Sequence, residues 1–343
     1  MIIRDVPELA DMLCEIIETI AAHSYTLQAS PEKQSVREYV QLESKSASWE
    51  LEAQGIDPVL DPEGFKRSLN DSLSKCLYQE RGGLRWPYSR QHHERHVIPS
   101  NLDFSNTSRA FVVPLVQAGF ADVNHELDLL KSYIVSLSHF HSPNPSHHYH
   151  CTLASAYMNL SDSWTRILSQ DFQGKLTFIS PSSMSHGFKD ASGIAGLVPY
   201  AYHLLQHEAI TSIQGQDRIR SLEYTRNEWD FHCKGMWFSE ETTDRRYKED
   251  GIYKLSDSEC EWPFATVIGS SNYGSRSVSK DLELQLLMWT ANGCLRERMA
   301  HEMKSIIIHT GPMSTARFSA PKHTPLLGRM FVRTILSVLK KWM

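Results

Sequence analysis

Phe231-His232-Cys233-Lys234-Gly235 and, beyond a polar insertion, Phe264-Ala265-Thr266-Val267-Ile268-Gly269-Ser270-Ser271-Asn272 are two apolar runs, each carrying polar chemistry at one end. Glu283 follows eleven residues after Asn272. Side chains alternate faces along a strand, so a strand through the first run projects His232 and Lys234 together and packs Cys233 behind them. An imidazole beside an ammonium suits phosphodiester chemistry. The imidazole attacks phosphorus or moves a proton, and the ammonium neutralises phosphoryl oxygens in the transition state. The second run leaves its strand through a small turn, where Gly269 lets backbone approach an anion and Ser270 and Asn272 offer it hydrogen bonds. Glu283 supplies a carboxylate to orient an imidazole. HxK alone occurs by chance in many chains, whereas HxK followed by an apolar strand that runs into GSxN is far more specific.

That combination resembles the phospholipase D superfamily. Within it, HCKGMWF and then ATVIGSSNYGSRSVSKDLELQL are similar to the second catalytic half of the CDP-diacylglycerol:glycerol-3-phosphate 3-phosphatidyltransferase family, the phosphatidylglycerophosphate synthases of mitochondria. Ala156-Tyr157-Met158-Asn159-Leu160, Ser180-Pro181, Gly187-Phe188 and the run from Gly193 to Tyr202 resemble that family's segments in the same order, so the resemblance covers residues 1 to about 308. It implies an α/β fold, a phospholipase D-like layered sheet flanked by helices. It implies transfer of a phosphatidyl group from CDP-diacylglycerol to glycerol 3-phosphate, with release of CMP, through a phospho-histidine and without metal or cofactor. His232 then takes the acid/base role, Lys234 and Asn272 hold phosphoryl oxygens, Ser270 and Gly269 support them, and Glu283 orients a histidine. Arg276, close to the turn, either contacts substrate or caps a helix. The resemblance also implies peripheral contact with the mitochondrial inner membrane.

Two departures qualify the likeness. The superfamily places an Asp five residues after the motif Lys, where this chain has Ser239 followed by Glu240 and Glu241. The charged text from Ser239 to Pro263 reads as a solvated excursion between two strands. The superfamily also builds one site from two HxK motifs. Here His186 with Lys189 and His301 with Lys304 are misspaced, and Lys322-His323 reverses the order. Arg4 to Asp11 resembles the text after the family's first motif, so the expectation is a chain that starts just after its first half-site, with the first half-domain incomplete. Three readings stand: a synthase, a catalytically silent or lipid-binding form, and a phosphodiesterase in which a homodimer supplies two copies of His232.

With 343 residues, 41% hydrophobic, the chain can bury a sizeable core. No apolar run is long enough to span a bilayer, and a net charge of -5 argues against a general nucleic-acid binder. The six cysteines are scattered without CxxC pairs, which fits a reducing compartment. The histidines between His139 and His150 are interrupted by Pro143 and Pro145 and read as a polar loop rather than a metal site. The N-terminal text lacks a transit-peptide character, so a mitochondrial location rests on the resemblance.

Periodicity predicts a helix over 6–22 with a stripe of Leu9, Leu13, Ile16, Ile17 and Ile20, a strand over 25–28 and a helix over 62–79 within an otherwise polar region. From residue 110 strands and helices alternate: strands at 110–116, 149–154, 175–180, 218–224, through HCK, at 266–269 and 282–289, and helices at 122–137, 160–169, 197–213 and 294–307. The expected organisation is 1–107 as the remnant of a first half, 108–310 as the second half with HxK and GSxN, and 311–343 as a basic amphipathic tail. That tail either lies on an anionic membrane or docks on the protein's own core.

Overall fold

A computed structural model describes residues 6–29, 49–53, 55–78, 110–139, 148–213, 215–241, 262–313 and 326–342. The loops expected around 81–83 and 101–108, most of the charged insertion, and Lys322-His323 lie outside these residues. The chain divides into two compact units, Met1–Ser89 with Phe120–Val123, and Arg90–Gly119 with Asn124–Met343.

In the first unit α1 (Pro7–Ala21) starts at a proline, whose missing N–H costs nothing in a first turn. It buries Met12 and Ile16, while Ile17 is 59% exposed, so the buried stripe is centred one residue earlier than the periodicity predicted. β1 (Tyr25–Ala29) and β2 (Trp49–Ala53) form an antiparallel pair, and α2 (Pro62–Tyr78) buries Leu69, Leu73, Cys76 and Leu77. β2 was not expected. Its Trp-Glu-Leu-Glu-Ala text alternates with period two and is the signal that marks it.

The second unit contains an eight-stranded mixed sheet. Its elements in chain order are β3 (Ala110–Ala118), α3 (His125–His139), β4 (His148–Ser155), α4 (Asp162–Arg166), β5 (Lys175–Pro181), α5 (Val198–Ser212), β6 (Ile219–Tyr224), β7 (Lys234–Glu241), β8 (Ala265–Gly269), α6 (Ser275–Ser279), β9 (Leu282–Thr290), α7 (Gly293–Ile307), β10 (Thr310–Pro312) and α8 (Leu326–Trp342). The strand order is β10-β6-β5-β4-β7-β8-β9-β3, parallel at β4, β5 and β6 and antiparallel elsewhere. This is the α/β layered arrangement expected. The predicted helix over 160–169 is instead the short α4 followed by a π turn at Ile167–Asp171.

Strand alternation sorts the core onto two faces. Ala154, Trp237 and Met288 pack on one face with Met299 and Met303 of α7. Phe238 points to the other face, where its ring meets Tyr133 of α3 edge-on at 5.4 Å. α8 docks on its own unit through Val332, 2% exposed, against Tyr200 and Ala201 of α5. Lys340 holds its far end to Asp162 and Glu208, and its carbonyl accepts from Asn159 Nδ2 at 3.1 Å.

Candidate active site

Strand ends bring the expected residues to one edge of the sheet. Ser155, last in β4, is paired with Lys234, first in β7, and Gly269, last in β8, is paired with Gln285 near the start of β9. Alternation from Phe238 puts Ser155, Lys234, Glu283 and Gln285 on the face that α3 covers.

β7 begins at Lys234, so His232 stands outside the strand expected to carry it. Phe231 N–H donates to the Ser185 carbonyl at 2.8 Å instead of to a strand neighbour. The two motif side chains still meet: Lys234 Nζ lies 3.1 Å from His232 Nε2 and 3.3 Å from Nδ1. Such near-equal distances set the ammonium against the ring as a whole, not along one lone pair. Partial burial, and then the Lys234 charge, lower the His232 pKa, which keeps an exposed imidazole neutral. Burial also lowers the pKa of Lys234, with the Glu283 carboxylate opposing it. Cys233 packs behind the pair against the α7 cluster, and burial pushes its thiol up to about 11.

The turn is built differently from its sequence reading. A Cβ on Gly269 would stand 2.3 Å from the Leu284 carbonyl, so the glycine is required by the close approach of β9. Ser270 Oγ accepts from Leu284 N–H at 3.1 Å and extends the β8 to β9 ladder. Asn272 Oδ1 accepts from Ser155 Oγ at 3.2 Å, and its backbone N–H donates to Ser277 Oγ at 3.2 Å. Its amide NH2 keeps no protein partner among the described residues. Arg276 Nε lies 2.9 Å from both Asp281 oxygens, while its carbonyl accepts from Lys280 and Asp281 N–H at the end of α6. Glu283 is 6% exposed.

Sequence reasoning missed the residues beneath and beside this turn. Glu126 in the first turn of α3 is 1% exposed and contacts Ser271 and Gln285. Burial pushes its carboxyl up to about 8, with Ser271 and Gln285 opposing and Glu283 adding to the rise, while Glu126 Oε2 and Gln285 Nε2 are buried without a partner among the described residues. Tyr273 holds a left-handed φ of 60°, stacks edge-on against Trp164 and donates through its hydroxyl to Gln285 Oε1 at 3.1 Å. His186, set aside in sequence for its spacing to Lys189, is 3% exposed and joins Tyr157, Phe188 and Tyr202 in a cluster of rings beside His232. Neither HxK nor GSxN marks Glu126, Tyr273 or His186, because their place beside the site comes from the fold.

No family model matches the chain. Curated relatives do. It is 27% identical over 259 residues, 74% of this chain and 39% of the relative, to a Dictyostelium discoideum protein named probable CDP-diacylglycerol--glycerol-3-phosphate 3-phosphatidyltransferase. It is 24% identical over 349 residues, 100% of this chain and 56% of the relative, to the Gallus gallus protein of that name, described as mitochondrial. The chain is a homologue of these phosphatidyltransferases. It spans about half the length of the curated relatives it matches. Among solved structures, phosphatidylserine synthase of Haemophilus influenzae aligns with a TM-score of 0.50 at 14% identity, over 68% of this chain and 48% of that one. Over the aligned part the chain accordingly shares the fold of that synthase structure.

Proposed function

We propose that this chain supplies the second half-site of a phosphatidylglycerophosphate synthase, with Arg90–Gly119 and Asn124–Met343 as its phospholipase D-like half. The phosphatidyl group leaves CDP-diacylglycerol as its phosphorus bonds to a histidine and the bond to CMP breaks. It then passes to a hydroxyl of glycerol 3-phosphate, and the histidine is freed. His232 gives its proton to the departing CMP oxygen in the first step and, neutral once that proton is gone, takes the proton of the acceptor hydroxyl in the second; partial burial and then the Lys234 charge favour the neutral form that the second step needs. Lys234 and the unpaired amide of Asn272 hold the non-bridging oxygens, while buried Glu283 balances the Lys234 charge. The observation that carries this reading is the meeting of Lys234 and His232 at 3.1 Å.

Because the lipid lies in a bilayer, the site must reach one. Trp229, three residues before His232, and Met184, next to the Ser185 whose carbonyl accepts from Phe231, are 53% and 67% exposed, which supports peripheral contact near the site. Among the described residues no helix is long and apolar enough to cross a membrane. The mitochondrial inner membrane is the proposed location, on the strength of the relative named mitochondrial.

The test is transfer of labelled glycerol 3-phosphate into phosphatidylglycerophosphate from CDP-diacylglycerol micelles, with His232→Ala as control. His232-dependent transfer by the 343-residue chain supports the synthase reading, with a second histidine brought by a partner copy. Activity only after an upstream segment with its own HxK is joined assigns this chain half of the site. No transfer in either form leaves the second reading, a catalytically silent lipid-binding form, which the single HxK motif favours.

A further inference from the structure

Tyr157 stands where the two motifs meet. It follows β4 directly, and its backbone N–H donates to Ser155 Oγ at 3.3 Å, the same hydroxyl that donates to Asn272. Its ring meets His232 edge-on, with centroids 5.9 Å apart at 78°, and Lys234 Nζ lies 6.0 Å from its centre. One residue therefore meets the HxK pair with its side chain and is linked to the GSxN turn through Ser155.

The ring is itself fixed from behind. Tyr202 lies 5.1 Å away, His186 5.6 Å and Phe188 6.2 Å, centroid to centroid. Phe188 N–H donates to His186 Nδ1 at 3.1 Å, which puts the proton of the neutral imidazole on Nε2, and that atom is buried without a partner among the described residues. His186 thus acts as an uncharged aromatic block. A Cβ on Gly187 would lie 3.2 Å from the Tyr157 hydroxyl, so the glycine leaves the phenol its room.

We propose that Tyr157, backed by His186, is the positioning residue that fixes the His232 imidazole and the Lys234 ammonium relative to Asn272. Outside the strand, His232 has no ladder hydrogen bonds to set its angle, and an aromatic wall supplies that constraint. An edge-to-face ring and a cation near a π face are both directional contacts that also exclude water. The inference rests on His232 being the reacting group of the proposed synthase.

The experiment titrates His232 by NMR in the full chain labelled at histidine Cε1, with His232→Ala to assign its resonance. The titratable groups around the ring are Asp230, Cys233 and Lys234 on its own segment, Tyr157 after β4, His186 in the loop after β5, and Glu283 of β9, which faces Lys234. In Tyr157→Leu water reaches the imidazole, so its midpoint rises by about half a unit and its resonance moves as the ring current is lost. Tyr157→Phe keeps the wall and superimposes on the wild type. In the transfer assay, Tyr157→Leu lowers kcat about tenfold to a hundredfold at an unchanged KM, and Tyr157→Phe restores it. An unchanged His232 titration in a folded Tyr157→Leu protein overturns the proposal, as does a Tyr157→Phe protein as impaired as Tyr157→Leu, which would make the hydroxyl a substrate contact. If the wild type transfers nothing, alone or joined to an upstream segment with its own HxK, the synthase reading fails on its own, and the titration still decides whether Tyr157 positions His232.

Discussion

His232 and Glu126 serve the same sheet edge under opposite conditions. His232 stands at the rim, exposed, with its ring held by Lys234 and Tyr157. Glu126 lies below the turn, 1% exposed, where burial keeps its carboxyl protonated at neutral pH. A reacting group must meet solvent and substrate, so its support can only be lateral. A supporting group can be sealed, and then every polar atom around it must be placed by the fold. The rim is thus tuned for chemistry and the underside for geometry, and substitutions at the two should fail in different currencies.

The largest effect is expected at the rim. His232→Ala should reduce transfer at least a thousandfold in whichever assembled form turns over, about 4 kcal/mol of barrier, while its melting temperature stays with the wild type. A fall in melting temperature to match the lost rate would mean that His232 is a structural residue.

Next comes the underside's outer brace. α8 docks by Val332 on α5 and packs beside α6, the short helix that follows the GSxN turn. Val332→Asp buries an unpaired carboxylate and should cost about 3 kcal/mol, read as a lower urea midpoint. A stability unchanged by this substitution would return α8 to the membrane-surface reading, in which its apolar residues meet lipid.

The same contrast explains what the sequence could show. β8 and β9 were legible as apolar stretches that follow one another, and His232, Lys234 and Asn272 because HxK and GSxN are local patterns. Glu126 was not legible, since an acid in the first turn of a helix is ordinary. Only the pairing of Gly269 with Gln285 reveals that it lies beneath Ser271. Ser270 and Gly269 were read as ligand contacts because a small turn looks the same whether an anion or a neighbouring strand fills the space. Tyr157 and His186 reach His232 from other parts of the chain and carry no spacing at all.

Glu126 makes the underside measurable by pH. Its carboxyl holds a proton up to about 8 in the fold and releases it near 4.5 when unfolded, so stability falls as pH rises between these values. His125, His186 and His203 are pushed down by burial to about 3, about 4 and about 4, so they act in the opposite sense, and only below 6.5. Between pH 6.5 and 8 the Glu126 slope therefore stands alone among these four, on the order of 1 to 2 kcal/mol. Urea unfolding across this window should show that loss in the wild type and not in Glu126→Gln. Parallel curves for the two proteins would mean that Glu126 is ionised within the fold.

The smallest effect belongs to the one basic residue that could join either region. Arg276 is 58% exposed and paired with Asp281, and an exposed pair of this kind contributes about 0.5 kcal/mol or less. Arg276→Ala should therefore leave the urea midpoint almost where it was. Its transfer kinetics then place the residue: a KM for glycerol 3-phosphate raised about tenfold means that the guanidinium exchanges Asp281 for a substrate phosphate, whereas an unchanged KM confines it to the end of α6. The carboxylate partner favours the second outcome. A guanidinium already held at 2.9 Å by both oxygens must give up that pair before it can bind an anion, and the exchange returns little net free energy at an exposed site.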